Sequence, residues 1–185
     1  MSDKNIRLPA LVGAIMPVRL GQIHTIFSEG DFILRPILSH TDIIGVLHVY
    51  EDCFGRLPPI DPMRRALAKH RWLLVCLVEK DVAPIVGFMV FSVNSKRKRV
   101  RILRIGVIKQ FRRQGLASAM LNDLMTHAKG YSIYAKVGER NLAALALFKK
   151  SGFESRLIRR PDKNEDTVLF FRRIPSSNEE ESSNG

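Results

Sequence analysis

The segment at residues 110–120, QFRRQGLASAM, combines residue types that bind phosphate groups. Arg112 and Arg113 supply positive charge, and an arginine guanidinium can donate two parallel hydrogen bonds to a phosphate. Gly115 has no Cβ, so its backbone can adopt a positive φ and a ligand can approach it closely. The residues that follow have the apolar period of a helix, whose first N–H groups lack partners within the helix. This composition suits a pyrophosphate; the alternative is a solvated basic loop that happens to precede a helix.

The chain around this segment alternates between strand and helix patterns. Apolar runs bounded by turn residues predict strands at 32–36, 72–79, 85–93, 100–108, 131–137, 153–158 and 167–173. Apolar residues at helical spacing predict four helices, which begin after Ser39 or Thr41, at Met63, at Leu116 and after Asn141. Because short turns join the middle strands, antiparallel pairing is favoured there. We therefore expect one α/β domain of the mixed α+β kind, with a central mixed, mostly antiparallel sheet flanked by helices.

Length and composition limit the class of protein. With 185 residues the chain can form one domain with a full core, and its two cysteines, Cys53 and Cys76, predict no disulfide framework. We expect a reducing, cytoplasmic location. The 30 basic and 18 acidic residues give a formal net charge of +12, which favours phosphates, nucleic acid, anionic membranes or acidic protein surfaces.

The two ends of the chain differ in composition from the middle. The apolar segment at residues 8–20 contains Pro9 and Pro17 and is too short to span a membrane. We expect residues 1–30 to form an N-terminal extension rather than a signal peptide. Residues 31–174 form the predicted domain. Residues 175–185, PSSNEEESSNG, have the composition of a disordered acidic tail.

Three motifs together resemble the GNAT superfamily of acyl-CoA-dependent N-acyltransferases. RRQGLA at residues 112–117 resembles the (Gln/Arg)-x-x-Gly-x-(Gly/Ala) pyrophosphate motif, and IGVIKQF before it resembles the strand that leads into that motif. NLAALALFKKSGFE at residues 141–154 resembles the signature Asn-x-x-Ala-x-x-Leu-Tyr-x-x-x-Gly-Phe, and FILRPILSHTDI resembles the first strand and helix entry. EDCF followed by a proline-rich break is similar to the ribosomal-protein N-terminal acetyltransferase group.

The resemblance implies that acetyl-CoA is the acyl donor and that no metal takes part. Backbone N–H groups of residues 114–117 would bind the CoA pyrophosphate, and the strand edge at residues 105–107 would pair with the pantetheine arm. The Val107 N–H would also stabilise the oxyanion that forms when an amine attacks the thioester. The residues that the resemblance assigns to cofactor binding are Ile105, Val107, Arg112, Arg113, Gln114, Gly115, Leu116, Ala117, Asn141 and Phe148.

The residues that handle protons depart from the family pattern. Many members have a tyrosine where this chain has Phe148, and they use its hydroxyl as the general acid. Arg104 and Lys136 lie near two positions where some members have an acidic residue. Three explanations remain open. The thiolate leaves unaided while water removes the amine proton; Glu139, or else Glu51, acts as the base; or the protein binds acyl-CoA without turnover.

A basic run from Lys96 to Arg113 has nine cations and no acidic residue. It predicts docking to an acidic protein, RNA or a ribosomal surface, and the alternative is a solvated hairpin plus cofactor-binding charge. Aromatic residues are not interleaved with these cations, so stacking on single-stranded bases is not predicted. Arg104 could select a substrate that bears a carboxylate. The leading hypothesis is an acetyl-CoA-dependent N-acetyltransferase acting on a primary amine; the alternative is a non-catalytic module that docks to RNA or an acidic partner.

Overall fold

The structure is a computed structural model that describes residues 24–25, 32–37, 40–77, 84–159 and 166–176. The expected N-terminal extension lies outside the described residues apart from residues 24 and 25, and so does the acidic tail beyond residue 176.

Eight strands and four α-helices make up the described chain. In chain order they are β1 His24–Thr25, β2 Phe32–Pro36, α1 His40–Phe54, α2 Ile60–Lys69, β3 Arg71–Leu77, β4 Ile85–Asn94, β5 Arg99–Val107, α3 Leu116–His127, β6 Ser132–Gly138, α4 Leu142–Lys150, β7 Glu154–Ile158 and β8 Thr167–Arg173. A 3₁₀ turn at Lys109–Phe111 lies between β5 and α3.

Most element boundaries agree with the sequence prediction, and the start of α2 is the clearest exception. The predicted helix begins at Met63, whereas α2 begins at Ile60 after Pro59. The stretch before Met63, RLPPIDP, is proline-rich and predicts a break, with Pro62 suited to the first turn of the helix. Proline is tolerated in the first helical turn because its missing N–H would have no partner there.

The strands form one sheet in the order β1-β2-β3-β4-β5-β6-β8-β7. Every neighbouring pair is antiparallel except β5 and β6, which run parallel. The predicted mixed, mostly antiparallel sheet and the closing β7–β8 hairpin are both confirmed.

Apolar cores cover both faces of the central strands. Along β4, Met89 belongs to the core that includes residues of α3, whereas Phe88 belongs to the core that includes residues of α1 and α2. A strand buried on both faces needs apolar residues at consecutive positions, which explains the continuous run IVGFMVF.

A β-bulge in β5 changes which face its side chains occupy. Val90 pairs with Arg104 and Phe91 pairs with Ile102, so Leu103 is an extra residue in β5. Ile102 lies in the α3-side core, whereas Leu103 packs against the α1-side core. Bulges bend a strand and increase its twist. The bulge occurs where β5 separates from β6.

The separation of β5 from β6 creates a cleft. Residues 99–102 of β5 pair with residues 132–135 of β6, and no pairing between the two strands continues beyond them. Further along, β5 remains paired with β4, while β6 remains paired with β8. We call the gap between residues 103–107 of β5 and 136–138 of β6 the cleft. Because the two strands are parallel, it opens at the end where both strands finish.

Candidate active site

The end of β5 presents backbone hydrogen-bonding groups to the cleft. The Ile108 N–H donates to the Val86 carbonyl at 3.0 Å, which makes these two residues a hydrogen-bonded pair. Such pairs alternate along an antiparallel ladder, so Val107 and Ile105 occupy the intervening positions. Their N–H and C=O groups point away from β4 and toward the cleft. An extended ligand with amide groups could therefore pair with β5 as an additional strand.

The Val107 carbonyl is held by side chains from outside the sheet. Arg112 Nε donates to it at 2.9 Å, and the Cys53 thiol of α1 donates to it at 3.3 Å. A terminal nitrogen of Arg112 lies 3.5 Å from the Asp52 carboxylate, which also accepts the Lys109 N–H at 2.9 Å. Arg112 was expected beside the pyrophosphate. Its guanidinium links the end of β5 to α1, and it is exposed enough to add positive charge beside the turn.

The turn that follows β5 prepares the N-terminus of α3. Arg113 has φ 65° and Gly115, the N-cap of α3, has φ 82°, so both adopt the left-handed conformation. The first N–H that bonds back toward the helix start is that of Ala119, which donates to the Gly115 carbonyl at 2.9 Å. Among the described residues we find no backbone acceptor for the N–H groups of residues 113–118.

This arrangement has the physical features that favour anion binding. Unpaired N–H groups at a helix start and the helix dipole both favour negative charge. Arg113, Gln114 and Gly115 are exposed, whereas Leu116 is 1% exposed and anchors α3 in the core. Leu116 can therefore contact a ligand only through its backbone. Ala117 is half-buried and has only a methyl side chain, so it too would contact a ligand mainly through its backbone. We call residues 112–117 the cradle.

The N-terminus of α4 lies at the same end of the sheet as the cradle, because β5 and β6 are parallel and each leads into a helix. Asn141 is the N-cap of α4, and its side-chain oxygen accepts the Ala144 N–H at 3.1 Å. Its amide NH₂ remains available to contact a ligand. Glu139 lies just beyond β6 with an exposed side chain, and its N–H donates to the Asp166 carbonyl. Glu51 is exposed on α1, next to the Asp52 that contacts Arg112.

Phe148 lies within the core on the inner side of α4. It is 3% exposed, and its ring centroid lies 5.2 Å from those of both Phe153 and Phe170. Aromatic packing of this kind explains a phenylalanine at the position. The ring has no proton to donate, so no general acid comes from this residue.

Arg104 is an exposed cation fixed against aromatic rings. Its guanidinium lies 5.3 Å from the ring centroid of Tyr50 and 6.0 Å from that of Phe54, both on α1. Such cation–π contacts hold the charge without neutralising it. Arg104 has no acidic partner within the described part of the chain.

Cys53 lies beside the end of β5, and its protonation state bears on covalent catalysis. Burial raises the pKa of the Cys53 thiol, with hydrogen bonding to Arg112 opposing the rise only partly. A protonated thiol is a weak nucleophile, which disfavours Cys53 as a covalent catalyst. Within the described ranges, no group of three His, Cys, Asp or Glu side chains could hold a metal ion. No helix in those ranges is long and apolar enough to cross a membrane.

Residues 43–153 match the model of the Acetyltransferase (GNAT) family. The chain belongs to the GNAT acetyltransferases. No curated protein sequence matches it significantly.

Solved GNAT structures share the fold. The ribosomal-protein-S18-alanine N-acetyltransferase from Escherichia coli has 20% identity and a TM-score of 0.66, covering 79% of this chain and 96% of its own. A GNAT acetyltransferase from Bacillus cereus has 21% identity and a TM-score of 0.63, covering 78% of this chain and 98% of its own. Arabidopsis thaliana NAA60 in complex with acetyl-CoA has 18% identity and a TM-score of 0.62, covering 77% and 99%.

Sequence reasoning missed the α1 contribution to the site. Asp52 and Cys53 lie more than 50 positions before their partners at the end of β5 and the 3₁₀ turn. No local pattern connects residues so distant along the chain. The stretch EDCF itself carries only a family resemblance.

Proposed function

We propose that this GNAT protein transfers the acetyl group of acetyl-CoA to a primary amine by direct attack on the bound thioester. The observation that carries the proposal is the cleft, where the free backbone edge of β5 leads to an unpaired helix N-terminus. One continuous groove thus offers strand pairing for an amide-bearing arm and an anion site for a pyrophosphate. Acetyl-CoA carries both groups, and a GNAT neighbour of the same fold is known in complex with it.

The cradle would bind the pyrophosphate through its backbone. The N–H groups of residues 114–117 face no acceptor in the described protein, and Arg113 adds an exposed positive charge beside them. The pantetheine arm would then lie along β5 and pair with Ile105 and Val107. The Asn141 amide and the edge of the Phe148 ring would complete the α4 side of the groove.

The Val107 N–H would stabilise the transition state. As the amine nitrogen bonds to the thioester carbon, negative charge develops on the carbonyl oxygen, and a donor already in place lowers that barrier. The C–S bond then breaks and CoA leaves as the thiolate, while the amine loses its proton to form the amide. Arg112 and Cys53 hold the adjoining carbonyl of Val107, which keeps this part of β5 fixed during the reaction.

Proton transfer would proceed without the family's usual tyrosine. A free thiol has a pKa of about 8.5, so the CoA thiolate can leave without a dedicated acid. Glu139, exposed at the open end of the cleft, is our first candidate for the base, and Glu51 is the second. Removal of the proton by a chain of water molecules is the third route.

The acceptor would be a protein N-terminus or a small amine. Arg104 holds an unneutralised charge on the α1 side of β5, three residues before Val107, where it would bind an acceptor carboxylate. A reducing, cytoplasmic location fits the two free thiols.

A second candidate function is a non-catalytic binding module. The buried phenylalanine at position 148 favours it, because that residue supplies no acid. Turnover separates the two candidates: an enzyme releases CoA in proportion to acetylated amine, whereas a module binds acetyl-CoA without releasing CoA.

The decisive test is acetyl transfer by two variants of one residue. Val107→Pro removes the N–H, which makes no bond to β4, whereas Val107→Ala keeps the N–H and loses only side-chain packing. With a panel of free N-terminal peptides, amino acids and polyamines, release of CoA thiol is measured for each protein. We expect Val107→Pro to lower kcat about 100-fold or more relative to Val107→Ala, because only the proline variant lacks the N–H that faces the thioester oxygen. Equal kcat values for the two variants would contradict the proposed oxyanion contact.

A further inference from the structure

One face of the sheet carries exposed charge over the four strands β5, β6, β8 and β7. On β6 the side chains of Ile133, Ala135 and Val137 point into the α3-side core, as does Phe170 on β8. Side chains alternate along a strand, so their neighbours in sequence lie on the opposite face. We call this opposite face the basic face; its residues are Arg99, Arg101, Ser132, Tyr134, Lys136, Gly138, Glu154, Arg156, Ile158, Thr167, Leu169, Phe171 and Arg173.

Strand pairing brings two aromatic rings to the middle of the basic face. Arg101 pairs with Tyr134, and Tyr134 pairs with Phe171 on the next strand. Tyr134 is half-buried, and Phe171 is 38% exposed. The expectation from sequence, that aromatics are not interleaved with the cations, holds only along the basic run itself. The sheet supplies the rings from two other strands.

Five cations lie around these rings, and Glu154 of β7 pairs directly with Phe171. Arg99 and Arg173 lie on the two sides of Ser132, while Lys136 and Arg156 lie on the two sides of Leu169. All four cations are exposed, as is Arg101. Glu154 is the one acidic residue among the described strand positions of this face. The face is therefore complementary to a polyanion.

We propose that the basic face binds single-stranded RNA. The Tyr134 and Phe171 rings can stack on unpaired bases, while the surrounding cations contact phosphates. Three hydroxyl-bearing residues on the same face, Ser132, Tyr134 and Thr167, can hydrogen-bond the 2′-hydroxyl that DNA lacks. An acidic protein would use the cations but would leave the two central rings without a stacking partner. This binding is a separate property from acetyl transfer, because it uses neither the cleft nor the cradle.

The test is fluorescence anisotropy of the full chain with a labelled RNA of about 10 nucleotides, a size typical of single-strand binding surfaces. We expect binding that weakens steeply with salt, and that persists when acetyl-CoA saturates the cradle. Phe171→Thr removes the exposed ring while keeping a good strand residue, and it should weaken binding about tenfold. Leu157→Thr is the matched control, because Leu157 is exposed on the other face of the same hairpin.

A second pair of variants tests the charge. Arg101→Glu should weaken RNA binding and lower the salt slope by at least about 0.7, the value for one phosphate contact on a single strand. Lys149→Glu makes the same charge change on the exposed surface of α4 and should leave the slope unchanged. Thermal unfolding of all four variants shows that each is folded.

Several results would overturn the proposal. Equal losses in Phe171→Thr and Leu157→Thr would mean that the rings do not stack on bases. Equal affinity for DNA of the same sequence would overturn the assignment to RNA. Tighter binding of polyglutamate of equal charge would point to an acidic protein instead. RNA binding that acetyl-CoA abolishes would place the RNA in the cradle.

Discussion

Replacing Gly106 by alanine should force β5 and α1 apart beside the cleft. Gly106 is buried, and an added Cβ would lie 3.1 Å from Cys53 Sγ and 3.3 Å from Phe88 Cε1. Overpacking of this kind costs about 1–3 kcal/mol, and the reduced freedom of the unfolded chain offsets roughly 0.4–1 kcal/mol. With the midpoints of these ranges the net loss is about 1.3 kcal/mol, or a Tm lower by about 3–5 °C for a chain of this size.

A second substitution identifies the contact responsible. Cys53→Ala removes the sulfur that the new Cβ would meet, so the double variant should lose less stability than the sum of the single losses. We expect a coupling of at least about 0.5 kcal/mol. Gly87→Ala is the matched control, since its Cβ would lie 3.0 Å from the Gly106 carbonyl oxygen. That carbonyl oxygen belongs to the backbone and is still present in Cys53→Ala. The stability losses of Cys53→Ala and Gly87→Ala should therefore be additive.

Urea unfolding of the wild type, the three single variants and the two double variants measures both couplings. A Gly106→Ala variant as stable as the wild type would refute the packing argument. Equal additivity in the two cycles would show that Cys53 does not contact Gly106. Either result would contradict the position of α1 against the end of β5.

Three further predictions concern other parts of the molecule. Gly115→Ala should lower the unfolding free energy by about 1–2 kcal/mol because alanine is strained in the left-handed conformation, whereas Gly115→Asn should lose less. Equal losses of the two variants in thermal unfolding would contradict a left-handed conformation at Gly115. Asn141→Ala should cost about 1 kcal/mol by removing the bond to the Ala144 N–H, and Asn141→Asp should keep most of that stability in the same assay. Burial raises the pKa of the Cys53 and Cys76 thiols, so the stability gained from keeping them neutral is present below the pKa of the unfolded thiol and is lost as pH rises through the raised values. Iodoacetamide should therefore alkylate both thiols more slowly than free cysteine at pH 8. A pH profile of alkylation equal to that of free cysteine would contradict this prediction.

Local signals account for the parts of the fold that the sequence predicted well. Gly115 is the N-cap of α3, Asn141 is the N-cap of α4, and Gly152 follows the end of α4 with φ 73°, as each residue's backbone or side-chain properties require. The sequence also indicates the bulge, since the adjacent apolar pair Ile102 and Leu103 interrupts the alternation of apolar and polar residues in β5.

Contacts between distant segments could not be predicted in this way. The bond from Cys53 to the Val107 carbonyl joins residues 54 positions apart, and the pairing of Tyr134 with Phe171 depends on the order of strands in the sheet. Sequence patterns show which face of one element is apolar, but they do not show which other element will cover it. The direction of the Arg112 guanidinium toward Asp52 could not be predicted for the same reason, since it depends on where α1 packs.

Calorimetric titration with acetyl-CoA at ~0.15 M salt tests the central claim most directly, because nonspecific attraction between charges is largely screened there. We predict micromolar binding by the wild type, and no measurable binding by a folded Gly115→Glu variant, whose carboxylate would occupy the pyrophosphate position. Absence of binding by the wild type, or binding that the variant leaves unchanged, would contradict the assignment of residues 112–117 as the cofactor cradle.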